Sequence, residues 1–213
     1  NTHSGMVPVP GDGRYSWAGY LPILKRPGKF NPATGIIATA NENLTSKSYL
    51  YKNALGYTWA DPFRGNRIRE VLSESKKYTL EEMRALQVDY LAIPAREMVP
   101  VLTKIHVEKQ KEKEVLNLLK NWDYKLTTNS IAAAVYQEWE NQLEKNIIAL
   151  SPIPALTNLS TKMIVDYIKN PTLIFPKNSV QLRDSLMKNA MSTAIDVLEK
   201  RLGSDMDQWQ YGQ

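Results

Sequence analysis

Apolar and polar positions along the chain fall into two textures that meet near residue 60. Before that point, Gly5, Gly11, Gly13, Gly19, Gly28, Gly35 and Gly56, with five prolines, break the chain into turns and short extended pieces. Apolar signal survives only at 7–9, 36–40 and 49–51, and each reads as a short strand. The clearest lies in NPATGIIATANEN, residues 31–43, where small and β-branched residues run from Gly35 to Ala40 and stop at Asn41. An amide at the end of such a run is either a turn former or a polar group that a rigid element carries into a site.

Beyond residue 60 the apolar period becomes helical. Pro62 suits a first turn, with Ile68, Val71 and Leu72 forming a stripe through Ser75. Thr79-Leu80-Glu81-Glu82 is a capping box, opening a helix that carries Leu80, Met83, Leu86 and Val88. Pro94 and Pro100 set off a separate or kinked helix over 95–105. Val115, Leu118, Leu119 and Trp122 share helical spacing, and 127–130 caps a long helix with Val135, Trp139, Leu143 and Ile147 at every fourth position. Pro152 and Pro154 end it. Helices follow over 160–170 and Ser179–Leu202, with Gly203 as the stop. The expected fold class is therefore mainly α: a helical domain over 61–213 preceded by a β/loop segment over 1–60. Five- or six-residue strands need neighbours, and this chain offers few, so the segment reads as a piece of a larger sheet.

Charge and composition narrow the chemistry. The chain has 213 residues, a net charge of +5 and no cysteine, which excludes disulfides and thiolate nucleophiles. The densest basic stretch, KIHVEKQKEK at 104–113, interleaves glutamates and reads as a solvated helix face rather than a nucleic-acid surface. No apolar run approaches the ~20 residues of a membrane span. His3 and His106 stand far apart without carboxylates at ligand spacing, and GDGR at 11–14 lacks the features of a phosphate loop. Trp122 and Trp139 read as core, and Trp17 as a loop anchor or pocket wall. Asn43-Leu44-Thr45 has the form of a glycosylation acceptor, which we read as unused.

Six stretches in order resemble the penicillin acylase family of N-terminal nucleophile hydrolases, specifically the middle and later part of the β chain. VPVPGDGRYSWAGYLP at 7–22 is similar to that family's Pro-Gly-x-Gly-x-Tyr-x-Trp-x-Gly-Tyr-x-Pro segment. NPATGIIATAN at 31–41 is similar to its Asn-Pro-x-x-Gly-x-Ile-x-x-x-Asn, and DPFRGNRIREVL at 61–72 follows. ALQVDYLAIPAREMVPVL at 85–102, NWD at 121–123 and RLGSDMDQWQYG at 201–212 continue the likeness over nearly the whole chain.

The resemblance implies an αββα amide hydrolase in which a serine at the β-chain N-terminus attacks, its own α-amine acts as base, and water clears the acyl-enzyme. It implies that Asn41 supplies the side-chain donor of the oxyanion hole, and that an arginine ahead of a helix serves the site. Arg67 is the first match for that arginine and Arg64 the second. The family's nucleophile lies upstream of this block; residue 1 is Asn, and the context of Thr2 and Ser4 does not match. The chain is thus expected to be an excised, inactive segment. Its partners would be the rest of the parent α and β chains and a small amide substrate, a β-lactam side chain or N-acyl homoserine lactone, with no nucleic acid and no membrane. Unpaired strands would let an isolated segment dimerise. No cofactor is expected here; a structural calcium, where the parent has one, would sit on other residues. The family suggests a periplasmic or secreted bacterial parent. The competing reading is a non-catalytic helical interaction module from a degenerate relative.

Overall fold

The computed structural model describes residues 7–16, 18–74, 76–153, 155–173 and 178–213. Thr2, His3, Ser4, Trp17, Ser75 and Pro154, weighed above, lie outside them. The chain divides into two compact units, Asn1–Tyr78 and Thr79–Gln213, so the division falls after the first α-helix rather than at the change in texture before it.

In the first unit, α1 (Phe63–Leu72) follows Pro62, and single 3-10 turns occupy Ile23–Lys25 and Lys52–Ala54. The expected strands are not present among the described residues. Residues 36–40 do alternate as an extended chain does: Ile36 and Ala38 are half-buried, Ala40 is buried, and Ile37 and Thr39 are exposed. They have no ladder partner among the described residues, and without one an extended run is not a strand. Residues 49–51 turn into the second 3-10 helix instead. The strand edges on which self-association was expected are therefore absent from the described residues. Leu24, Phe30 and Leu50 are 96%, 97% and 87% exposed, so this segment leaves large apolar side chains outside its own packing.

The second unit contains α2 (Leu80–Gln87), α3 (Ile93–Leu102), α4 (Gln110–Lys120), α5 (Ile131–Ala149), α6 (Thr161–Lys169) and α7 (Ser179–Leu202). Their starts obey local chemistry. Thr79 and Glu82 form the reciprocal capping box, and the Ser130 and Ser160 hydroxyls accept from the backbone N–H groups of Ala133 and Met163. Pro94 sits in the first turn of α3, where its missing N–H costs no helical bond, whereas Pro100 leaves the Arg96 carbonyl without its usual helical donor. α7 stops at Gly203, whose φ of 91° suits glycine.

α5 and α7 make the most extensive helix pair. Val135, Trp139, Leu143 and Ile147 are buried along α5, and Met187, Ala190, Met191, Ala194 and Leu198 along α7. The alanines on α7 allow close approach of the bulky α5 face. Two sequence readings are corrected. Residues 104–109 are turn and loop, so His106 lies exposed ahead of α4 and not on a helix. The apolar stripe of α2 is not a core face either: Leu80, Met83 and Val88 are all exposed. At the C-terminal end, Lys111 pairs with Glu199 and donates to the Ser204 carbonyl at 2.9 Å. It also lies 5.0 Å from the ring centre of the buried Trp209.

Candidate active site

Where the extended run ends, the backbone turns. Asn41 has φ = 66°, a left-handed conformation that Asn tolerates better than most residues. Its carbonyl accepts from Ala60 N–H at 3.0 Å. The side chain is exposed, but its oxygen is held. Arg64 Nη2, from the first turn of α1, donates to Asn41 Oδ1 at 3.0 Å and to the Ala40 carbonyl at 3.1 Å. A guanidinium only donates, so the amide oxygen must face it and the Nδ2 hydrogens must face away. Asn41 is thus a turn residue whose amide oxygen is held by Arg64.

Of the two arginines, the structure brings Arg64 to Asn41. Arg67 lies one turn further along α1, and its Nη1 pairs with Glu70 Oε1 at 2.8 Å. The cause is helical geometry. Arg64 and Arg67 lie on one side of the helix but a turn apart, about 4.5 Å along its axis, so the arginine nearer the helix start meets the loop there and the other meets Glu70 on its own helix.

Two residues escaped the sequence reading. Glu42 is 5% exposed, buried directly behind an exposed Asn41. Its Oε2 accepts from Ala40 N–H at 2.8 Å, and its Oε1 pairs with Arg69 Nη1 at 2.5 Å. Gly65 in α1 makes room: a β-carbon there would stand 2.1 Å from Glu42 Oε1. A glycine inside a helical pattern, opposite a carboxylate at the end of an apolar run, was the available signal. Asn43 closes the segment by accepting from both Thr45 N–H and Thr45 Oγ1–H, at 2.9 and 2.7 Å.

Burial alone would raise the Glu42 pKa, but the Arg69 guanidinium and the backbone N–H groups of Glu42 and Ala40 outweigh it and hold the carboxyl below its usual value. A pKa lower in the folded than in the unfolded chain contributes stability above the unfolded value, and that stability is lost as pH falls through the folded one. The stability difference between the protein and Glu42→Gln is expected to be widest near neutral pH, to start narrowing as pH falls through the ordinary glutamate value of about 4.3, and to close below the depressed folded value. Urea unfolding at neutral and acid pH measures it; a difference independent of pH would show that the carboxylate is not charge-paired.

An open cleft of about 570 Å³ lies at the other end of α1, lined by residues including Ile36, Ile37, Leu72, Lys77 and Tyr78, and does not include Asn41. Among the described residues no three His, Asp or Glu side chains gather as a metal site, and no helix is long and apolar enough to cross a membrane.

The family model described as Penicillin amidase matches residues 1–213. The chain is 24% identical over 240 residues to acyl-homoserine lactone acylase QuiP of Pseudomonas aeruginosa, covering 98% of this chain and 28% of that protein. It is 27% identical over 150 residues to penicillin acylase 2 proenzyme of Pseudomonas sp., covering 70% of this chain and 19% of that protein. Penicillin G acylase of Escherichia coli is 24% identical over 165 residues, covering 71% and 19% respectively. The chain thus spans less than a third of the length of each of these relatives.

Proposed function

The chain belongs to the penicillin amidase family, and from that premise we propose that it is one segment of a larger amidohydrolase that removes an acyl group from a small amine. The substrate classes are those suggested by the relatives' names, an N-acyl homoserine lactone or a penicillin side-chain amide. On this reading the nucleophile is a serine at the start of the β chain, outside residues 1–213. Its hydroxyl oxygen attacks the amide carbonyl while its α-amine takes the proton. Asn41 Nδ2 donates to the oxyanion that forms. Collapse of the tetrahedral intermediate expels the amine, which takes up the proton, and leaves an acyl-enzyme that water hydrolyses. Residues 1–213 alone then lack a nucleophile, and Leu24, Phe30 and Leu50 are covered by the rest of the parent polypeptide. The same reading has the protein exported.

The observation that supports this reading is the bond from Arg64 to Asn41 Oδ1, which leaves the amide donor outward at the end of a tied backbone. A donor fixed before reaction requires no reorganisation as charge develops. The test assays the full-length gene product and residues 1–213 separately on an N-acyl homoserine lactone and a chromogenic phenylacetyl amide. The full-length protein is expected to hydrolyse at least one, and the 213-residue chain neither. A full-length protein silent on both would overturn the amidase reading. Turnover by the purified chain alone would overturn the external nucleophile.

A further inference from the structure

We propose that Glu42, held by Arg69 against Gly65, is a positioning residue that sets the aim of the Asn41 amide; this rests on the oxyanion reading of Asn41. The arrangement is a clamp on three successive peptide planes. The Ala40 N–H is taken by Glu42 Oε2 at 2.8 Å, and the Ala40 carbonyl by Arg64 Nη2 at 3.1 Å. The Asn41 carbonyl is taken by Ala60 N–H at 3.0 Å. Arg64 fixes the amide oxygen itself. The left-handed turn that carries the amide is therefore tied ahead of Asn41 by Glu42 and Arg64, and after it by the Ala60 backbone.

Each part of the clamp has a reason for its residue type. The groups that meet the Glu42 carboxylate are all donors, Ala40 N–H, Arg69 Nη1 and the N–H of Glu42 itself, so both oxygens must accept. Glutamine has only one acceptor oxygen and would leave a buried donor opposed by an NH2 group. Arg69 is itself fixed, because its Nη2 donates to Asn66 Oδ1 at 2.9 Å on the same helix. At Gly65 a β-carbon would fall 2.5 Å from Glu42 Cδ and 2.8 Å from Oε2, so the carboxylate packs directly on the helix backbone. The charge pair is buried on the glutamate side, with the Glu42 side chain 4% exposed, and removing one partner strands the other. None of these groups touches substrate in the proposed reaction; they act through Asn41.

The test uses the full-length protein with Asn41→Ala, Glu42→Gln and the double variant, measured on the substrate it hydrolyses. Glu42→Gln is expected to lower kcat by about 10-fold or more with KM nearly unchanged, since a small misplacement of a reacting group can cost up to ~10²-fold. In the Asn41→Ala background the same change is expected to add nothing. Arg69→Met should reproduce the loss and Arg69→Lys restore most of it, and this pair carries the test should Glu42→Gln fail to fold. Unchanged kcat in Glu42→Gln and Arg69→Met, with Asn41→Ala impaired, overturns the clamp and leaves the oxyanion reading intact. Equal losses from Glu42→Gln with and without Asn41 also overturn it. A silent Asn41→Ala removes the oxyanion reading itself, and the clamp with it.

Discussion

Asn41→Ala in the full-length protein is expected to lower kcat by about 10²–10³, the usual consequence of removing one oxyanion donor, with KM changed only a few-fold. The split follows from where the donor acts. A ground-state carbonyl gains little from a hydrogen bond that shortens only when negative charge accumulates on the oxygen. Alanine also meets the left-handed backbone at φ = 66°, which disfavours a β-carbon by about 1–2 kcal/mol. Asn41→Gly separates the two effects, because glycine adopts that backbone freely and has no amide. Asn41→Gly is expected to be as inactive as Asn41→Ala while melting closer to the parent. Should Asn41→Gly retain activity, the residue would be a turn former only, and the outward amide would have no catalytic meaning. Kinetics on the three proteins with one substrate decide it.

Asn41 became a candidate in the sequence only through likeness. The run GIIATAN ends in a residue that any turn could use, and its period-two burial needed a structure to reveal it. The arginine was harder. Arg64, Arg67 and Arg69 all lie in DPFRGNRIREVL, and spacing alone does not say which faces a loop twenty-odd residues earlier in the chain. The structure gives each a different partner: Arg64 meets Asn41, Arg67 meets Glu70, and Arg69 meets Glu42. Glu42 was invisible because a carboxylate after an amide looks like exposed turn chemistry, and only the bare backbone at Gly65 lets it go inward.

Helices were legible because their signals are local. The Thr79 capping box, the Ser130 and Ser160 caps and the Gly203 stop all act within a few residues of the ends they define. The short strands were not, because a strand exists only through a partner that may lie far away in sequence. α2 shows a second limit. Leu80, Met83 and Val88 fit a helical stripe, yet they remain exposed, so periodicity identified the helix without identifying what its apolar side meets. The long helices α5 and α7 avoided this limit, since their apolar faces are wide enough to bury one another.

That mutual burial makes Trp139→Ala the largest stability change we expect, a loss of about 3–5 kcal/mol. Trp139 is fully buried midway along α5. Its ring centre lies 6.0 Å from that of Tyr136, which in turn lies 5.5 Å from Trp122, so one ring anchors an aromatic series. Its Nε1–H donates to the Met187 carbonyl of α7 at 3.1 Å. Truncation removes the ring's dispersion contacts and leaves a cavity between two rigid helices that cannot close together easily. Trp139→Phe divides the loss. Phenylalanine keeps most of the aromatic volume and drops the indole donor, while the Met187 carbonyl still has its helical donor four residues on. Only the net value of one hydrogen bond and some volume is then lost, about 1–2 kcal/mol. Urea unfolding followed by far-UV circular dichroism measures both variants against the parent. A Trp139→Ala loss below about 1 kcal/mol would mean that the α5–α7 contact does not hold the helical unit together, since no tightly packed core absorbs so large a void at that cost.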